Sequence, residues 1–175
     1  MFETFSLPVL AALSVFAKGP HLQELGPDGV TIRFELASAG PATVEVEALT
    51  PPHDAGPAPK KQTDDASTTF HAVRITGLAP ATAYRYVARA AGASERGTFT
   101  TAPEVASAAP FRFVVYGDTR TDPAAHAAVV RAIVAEPSDF AVNTGDFVED
   151  GASPEDWQSF FDIERGLLRD RCVFA

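Results

Sequence analysis

Two stretches of this chain end alike. FRFVVYGDTR, residues 111–120, carries an apolar run into Gly117-Asp118. DFAVNTGDFVEDG, residues 139–151, carries another into Gly145-Asp146. A carboxylate just past a buried strand stands at the rim of a sheet, and a glycine before it lets the backbone turn sharply there. Crossover connections set consecutive parallel strands side by side, so Asp118 and Asp146 are expected at one rim. Two carboxylates so close repel unless a proton or a cation lies between them. Divalent metals of hard or borderline character are the usual answer. Each Gly-Asp alone also reads as an ordinary turn or helix cap. Two on successive strands of one βαβ unit read equally as a shared metal site or as two such turns.

The neighbouring residues carry paired readings. Arg120 is either a phosphate contact or an ion-paired surface arginine. His126, eight positions after Asp118, is either a support or substrate contact of the site or a helix residue near the N-terminal turn. Asn143 either orients Asp146 or makes a strand-end hydrogen bond. Tyr116 points to the same face as Asp118 but lies within the strand, where it reads as core. Glu164 falls on an apolar helical stripe, where a charge needs a partner; an arginine is expected. Glu149 and Asp150 read as solvated loop. His21, His53 and His71 are assigned no role.

The elements that must position these residues follow from periodicity. From His21 to Thr101, short β-like segments (HLQEL, GVTIRFEL, ATVEVEA, TTFHAVRI, AYRYVARAA, RGTFTT) alternate apolar and polar residues. Gly-Pro-Asp-Gly, Ala-Gly-Pro and PPHDAGPAPKKQTDDAS between them read as turns or loops. Six or seven short strands of this kind predict an all-β sandwich of immunoglobulin-like size. TAPEVASAAP, residues 101–110, lacks periodicity and reads as a linker. Beyond it the pattern becomes β-α-β-α-β. Apolar strands lie at Phe111–Tyr116 and Phe140–Val142, and CVFA closes the chain. Asp122-Pro123 and Ser153-Pro154 are helix starts. The helices carry His126, Val129, Val130 and Ile133, then Trp157, Phe160, Phe161, Leu167 and Leu168, on their apolar sides. This predicts the beginning of an α/β fold with a parallel sheet.

The chain has 175 residues, a net charge of −9 and 46% hydrophobic residues, enough for a core and against a nucleic-acid-binding surface. Its one cysteine, Cys172, excludes an intrachain disulfide and a cysteine zinc site, and reads as a buried small hydrophobe. Leu7–Ala17 is an apolar run too short to span a bilayer. It reads either as an atypical secretion signal, which would place the protein outside the cytoplasm, or as a plain N-terminal helix. The expected organisation is therefore 1–17 signal-like or helical, 18–101 sandwich, 102–110 linker and 111–175 α/β.

This combination resembles the metallophosphoesterase (calcineurin-like) superfamily, in particular bacterial proteins similar to purple acid phosphatases, which place a fibronectin type III-like sandwich before the catalytic domain. KGPHLQELGPDGVTIRFEL and ITGLAPATAYRYVARA resemble parts of that sandwich. FRFVVYGDTR resembles the first metal motif and NTGDFVEDG the second. The resemblance covers residues 18–175. It implies hydrolysis of a phosphoester substrate by a hydroxide held between two divalent metal ions (Fe, Mn or Zn). Asp118 would be a terminal ligand of one metal and Asp146 would bridge both. The sequence departs from the family at Arg120, where many relatives have histidine, and at Glu149, where the purple enzymes have tyrosine. A third metal motif and two later histidine motifs are absent from these residues, so the chain reads as a fragment of a longer protein with little activity of its own. Two rival readings are a secreted β-sandwich interaction or adhesion module without catalysis, and a phosphoacceptor domain. The latter leaves the second Gly-Asp unexplained.

Overall fold

The structure is a computed structural model and describes residues 14–49 and 59–175. Alternating side chains in the first half fold as five antiparallel strands: β1 (Phe16–Gln23), β2 (Gly29–Ala48), β3 (Lys60–Thr76), β4 (Ala83–Ala90) and β5 (Ala93–Thr100). They form one sheet in the order β1-β2-β4-β5, with β3 also paired to β2. The first half of β2 pairs with β1 and with the end of β3; its second half pairs with β4 and with the start of β3. The sheet therefore curls into a sandwich-like body around one core. Ile32, Phe34, Val44, Val46, Val73, Tyr86 and Phe99 are among its buried side chains.

Strand count and boundaries differ from expectation. GVTIRFEL and ATVEVEA are one strand, because the register shifts at Gly40 while the ladder continues past it. A bulge absorbs the irregularity that Ala-Gly-Pro suggests as a turn, and it bends the strand. The polar stretch read as a loop joins β3 from Lys60 onward, where Lys60–Asp64 pair with Val46–Ala42. Backbone hydrogen bonds hold this segment whatever its side chains, and lysine and aspartate suit a strand with an open edge. Residues 51–58 lie outside the described residues. So does the signal-like segment up to residue 13, while β1 begins at Phe16, buried 5.5 Å from the Phe34 ring.

After an irregular connection, the second half forms β6 (Phe113–Tyr116), α1 (Pro123–Ala135), β7 (Phe140–Asn143), α2 (Pro154–Asp170) and β8 (Cys172–Phe174). The three strands are parallel in the order β6-β7-β8. Asp122 caps α1 by accepting from the Ala124 and Ala125 amides, both at 3.0 Å. Ser153 caps α2 by accepting from the Asp156 amide at 3.1 Å. Both helices carry proline at the first position, where its missing N–H costs nothing. Val130, Ile133 and Leu167 pack with Tyr116 and Ala141 on one side of the sheet. Val129, expected on the inner stripe, is exposed, because His126, Val130 and Ile133 follow the i, i+4, i+7 spacing that faces the sheet. On the alternate strand positions Phe113, Val115 and Phe174 are exposed, and Phe140 stacks on Phe113 at 5.3 Å.

The two halves meet along α2. The Tyr86 hydroxyl donates to the Arg169 carbonyl at 2.8 Å, Asp170 accepts from the Thr98 amide at 2.8 Å, and Gln158 donates to the Ala17 carbonyl at 3.0 Å. Among the described residues no helix is long and apolar enough to cross a membrane.

Candidate functional site

β6 and β7 end level with each other, Tyr116 opposite Asn143. The pairing then continues beyond the sheet. The Thr144 amide donates to the Tyr116 carbonyl (2.8 Å), the Asp118 amide to Gly145 (3.0 Å) and the Thr119 amide to Asp146 (3.0 Å). The two Gly-Asp loops are thus fastened to each other by their own backbones. Gly117 makes this approach feasible, since a Cβ there would collide with Thr144 Oγ1. Asp118 and Asp146 both lie in the left-handed region, with φ of +54° and +57°. Aspartate is among the few residues that tolerate this, and such strain concentrates where a site holds it.

The carboxylates project into solvent, with side chains 77% (Asp118) and 57% (Asp146) exposed. Arg120 reaches both: its Nε lies 3.8 Å from Asp118 Oδ1 and one Nη 3.5 Å from Asp146 Oδ1. Contacts so long and exposed add little stability; their meaning is geometric, since one guanidinium spans both carboxylates. Arg120 also borders a cleft of ≈ 300 Å³ between the start of α1, the loop after β7 and α2, with Phe160 and Ile163 among its walls. Glu149 lines the same cleft and is exposed. Asp150 accepts from the Ala152 amide at 2.8 Å, a local turn contact.

Asn143 sits one step below the rim. Its Oδ1 accepts from the Gly145 amide at 2.9 Å, which shapes the turn into Asp146, and its buried Nδ2 has no hydrogen-bond partner. His126 makes its side-chain hydrogen bond to Glu164 and to neither carboxylate. It is buried, lines the cleft, and its Nε2 lies 2.8 Å from Glu164 Oε1. The second Glu164 oxygen accepts from the Tyr116 hydroxyl at 3.0 Å. The expected arginine partner of Glu164 is therefore replaced by a histidine and a tyrosine. The inner face of α2 meets the end of β6 and the first turn of α1, and those residues occupy these places. Burial pushes the Glu164 carboxyl upward, partly offset by the two hydrogen bonds. Burial, then the Glu164 charge, pushes the Tyr116 hydroxyl above its ordinary range.

The structure therefore brings together Asp118, Asp146 and Arg120, with Asn143 beneath, and ties His126, in the wall of the neighbouring cleft, into a buried network. Sequence reasoning missed the Tyr116 hydroxyl and Thr119, whose Oγ1 lies 3.2 Å from the Phe147 carbonyl. A glutamate on an apolar stripe was the one sign of that network. Of the histidines given no role, His71 pairs with Asp64 at 2.9 Å, His21 packs near Phe161, and His53 lies outside the described residues.

Two hard oxygen donors at one rim suit one side of a divalent-cation site. Among the described residues no three His, Cys, Asp or Glu side chains gather to hold a metal ion, so a two-metal centre is not complete in them.

No protein-family model matches the chain, and no curated protein matches it in sequence. Its fold is similar to solved structures. A structure of PhoD superposes with TM-score 0.65 at 15% identity, covering 91% of this chain and 38% of that one. The purple acid phosphatase PPD1 from yellow lupin seeds superposes with TM-score 0.66 at 15% identity, covering 90% and 34%. The chain thus shares the fold of part of PhoD and of the lupin purple acid phosphatase, and spans little more than a third of the length of each.

Proposed function

We propose that this chain carries the first two metal-holding aspartates of a metal-dependent phosphoesterase. The observation that supports this is the pair Asp118 and Asp146. Both are left-handed, both follow a glycine at the ends of adjacent parallel strands, and both are within reach of one arginine. The fold around them is the one shared with PhoD and the lupin phosphatase. Asp118 and Asp146 would hold a divalent cation such as Mn, Zn or Fe, and a second metal would need further donors. Bound there, the cation would supply Lewis-acid polarisation of a phosphate ester. Arg120 would turn its planar fork toward the phosphate oxygens, which it can meet with two parallel hydrogen bonds. Asn143 and the backbone links between the two loops would hold the carboxylates in place. The sandwich would be the fibronectin type III-like partner of the catalytic part, and secretion or a periplasmic location is the compartment proposed with it.

The test is Mn²⁺ titration of the 175-residue chain, followed by the loss of the free Mn²⁺ electron paramagnetic resonance signal. Weak, saturable binding is expected, and either Asp118→Asn or Asp146→Asn should abolish it. Binding unchanged in the double variant, or none in the wild type, would sink the reading and leave a β-sandwich interaction module in its place.

A further inference from the structure

We infer that Glu164 is a positioning residue that tethers both ends of the Asp118 loop to α2. Its side chain is 0% exposed, and each oxygen has its own partner. Tyr116, on Oε2, is the last residue of β6; His126, on Oε1, lies in the first turn of α1. Residues 117–122, with Asp118 and Arg120 among them, run between these two anchors. One carboxylate from a third element therefore fixes where this loop begins and where it ends. The hold passes onward, because the Asp118 and Thr119 amides bond to Gly145 and Asp146 in the second loop.

Energetics favour a positional role over simple packing. A buried carboxylate is expensive to desolvate, and its hydrogen bonds at best offset that cost. The neighbours on the stripe, Phe160 and Leu167, show that an apolar side chain suits this face. A leucine would fill the space without the desolvation cost, but it would bond to neither anchor. What Glu164 adds is direction: two hydrogen bonds of fixed geometry to two elements flanking one loop. That the loop so placed serves a cation rests on the phosphoesterase reading; the tether itself does not.

The experiment is amide hydrogen exchange by NMR on the full chain, in wild type, Tyr116→Phe, Glu164→Gln, Glu164→Ala and Leu167→Ala. The Asp118 and Thr119 amides should be protected in the wild type. Glu164→Gln should preserve that protection, since an amide can accept from Tyr116 and donate to the other His126 tautomer. Glu164→Ala should speed their exchange about tenfold, and the milder Tyr116→Phe severalfold, with Val44 and Val46 in β2 unchanged. Leu167→Ala, one turn away in the same core, should not single out the loop. Unprotected amides in the wild type would overturn the tether. So would unchanged exchange in Tyr116→Phe and Glu164→Ala, or equal loop exposure in Leu167→Ala. Mn²⁺ affinity of the same variants separates the two ideas. Failure of the wild type to bind Mn²⁺ counts against the phosphoesterase reading alone, and the exchange data still decide the tether.

Discussion

At Asp118 and Asp146 the backbone adopts a conformation that glycine enters freely and most residues avoid. Each position stores strain on the order of 1 kcal/mol, and the surrounding hydrogen bonds must hold it. The glycines before them differ. Gly145 has φ of +103° and open space around it, so it is needed for its dihedral. Gly117 is needed for room, because any side chain there meets Thr144. Gly117→Ala should therefore push the two loops apart and destabilise the chain by about 1–3 kcal/mol. Urea denaturation measures this. An unchanged midpoint would mean that Thr144 swings aside freely and that the close approach is not built in.

α2 serves two neighbours at once. Its inner stripe closes the core of the parallel sheet through Phe160, Glu164 and Leu167, and its last turn is bonded to the antiparallel sheet. Tyr86 is the center of that seam. Burial drives its hydroxyl above the ordinary tyrosine range, with the Asp170 charge adding to the shift. Gly97, opposite it, leaves room for the ring: a Cβ there would lie 2.6 Å from it. Tyr86→Phe should cost about 1–2 kcal/mol, because the Arg169 carbonyl loses its hydroxyl donor at a closed seam. Equal stability of the variant in denaturant would show that water or a shift of α2 replaces the bond.

Across the whole molecule, stability should fall in mild acid, and His21 is a principal reason. It packs near Phe161 where the first strand meets α2, with its Nδ1 buried and without a partner. Burial, and then the Arg33 charge, lowers its pKa from 6.5 to about 4. A histidine depressed in the folded state leaves the unfolded chain to take up the proton first. The stability tied to neutral His21 is complete above pH 6.5 and is lost as the pH falls through that value toward 4. The loss amounts to at most about 3 kcal/mol. Asp64, held below its ordinary value chiefly by its hydrogen bond to His71, gives stability that is present at neutral pH and is lost only at lower pH, as its carboxylate takes up a proton. Denaturation midpoints of wild type and His21→Gln between pH 7.5 and 4.5 decide the matter: the variant should show a flatter profile, and parallel profiles would remove His21 as the cause.

Much of the site was legible in the residues, because its signals are local. An apolar run followed by Gly-Asp specifies a strand end, a turn and a carboxylate within a few positions. Asp122-Pro123 and Ser153-Pro154 specify helix starts in the same way, and the caps form there. The join of two segments into β2 was hidden, because a bulge and a turn use the same small residues and only pairing with β3 and β4 distinguishes them. The partners of Glu164 were hidden for a stronger reason. They lie 38 and 48 residues away on other elements, and periodicity shows that a buried charge needs partners without showing which. Likewise nothing local in the sequence shows that Arg120 stands between the two carboxylates, which folding alone decides. The sequence by itself determined which residue types stand at the rim and the order of the elements that carry them. Tertiary packing alone decided which distant side chains meet there, since hydrogen bonds act over a few ångströms in space whatever the distance along the chain.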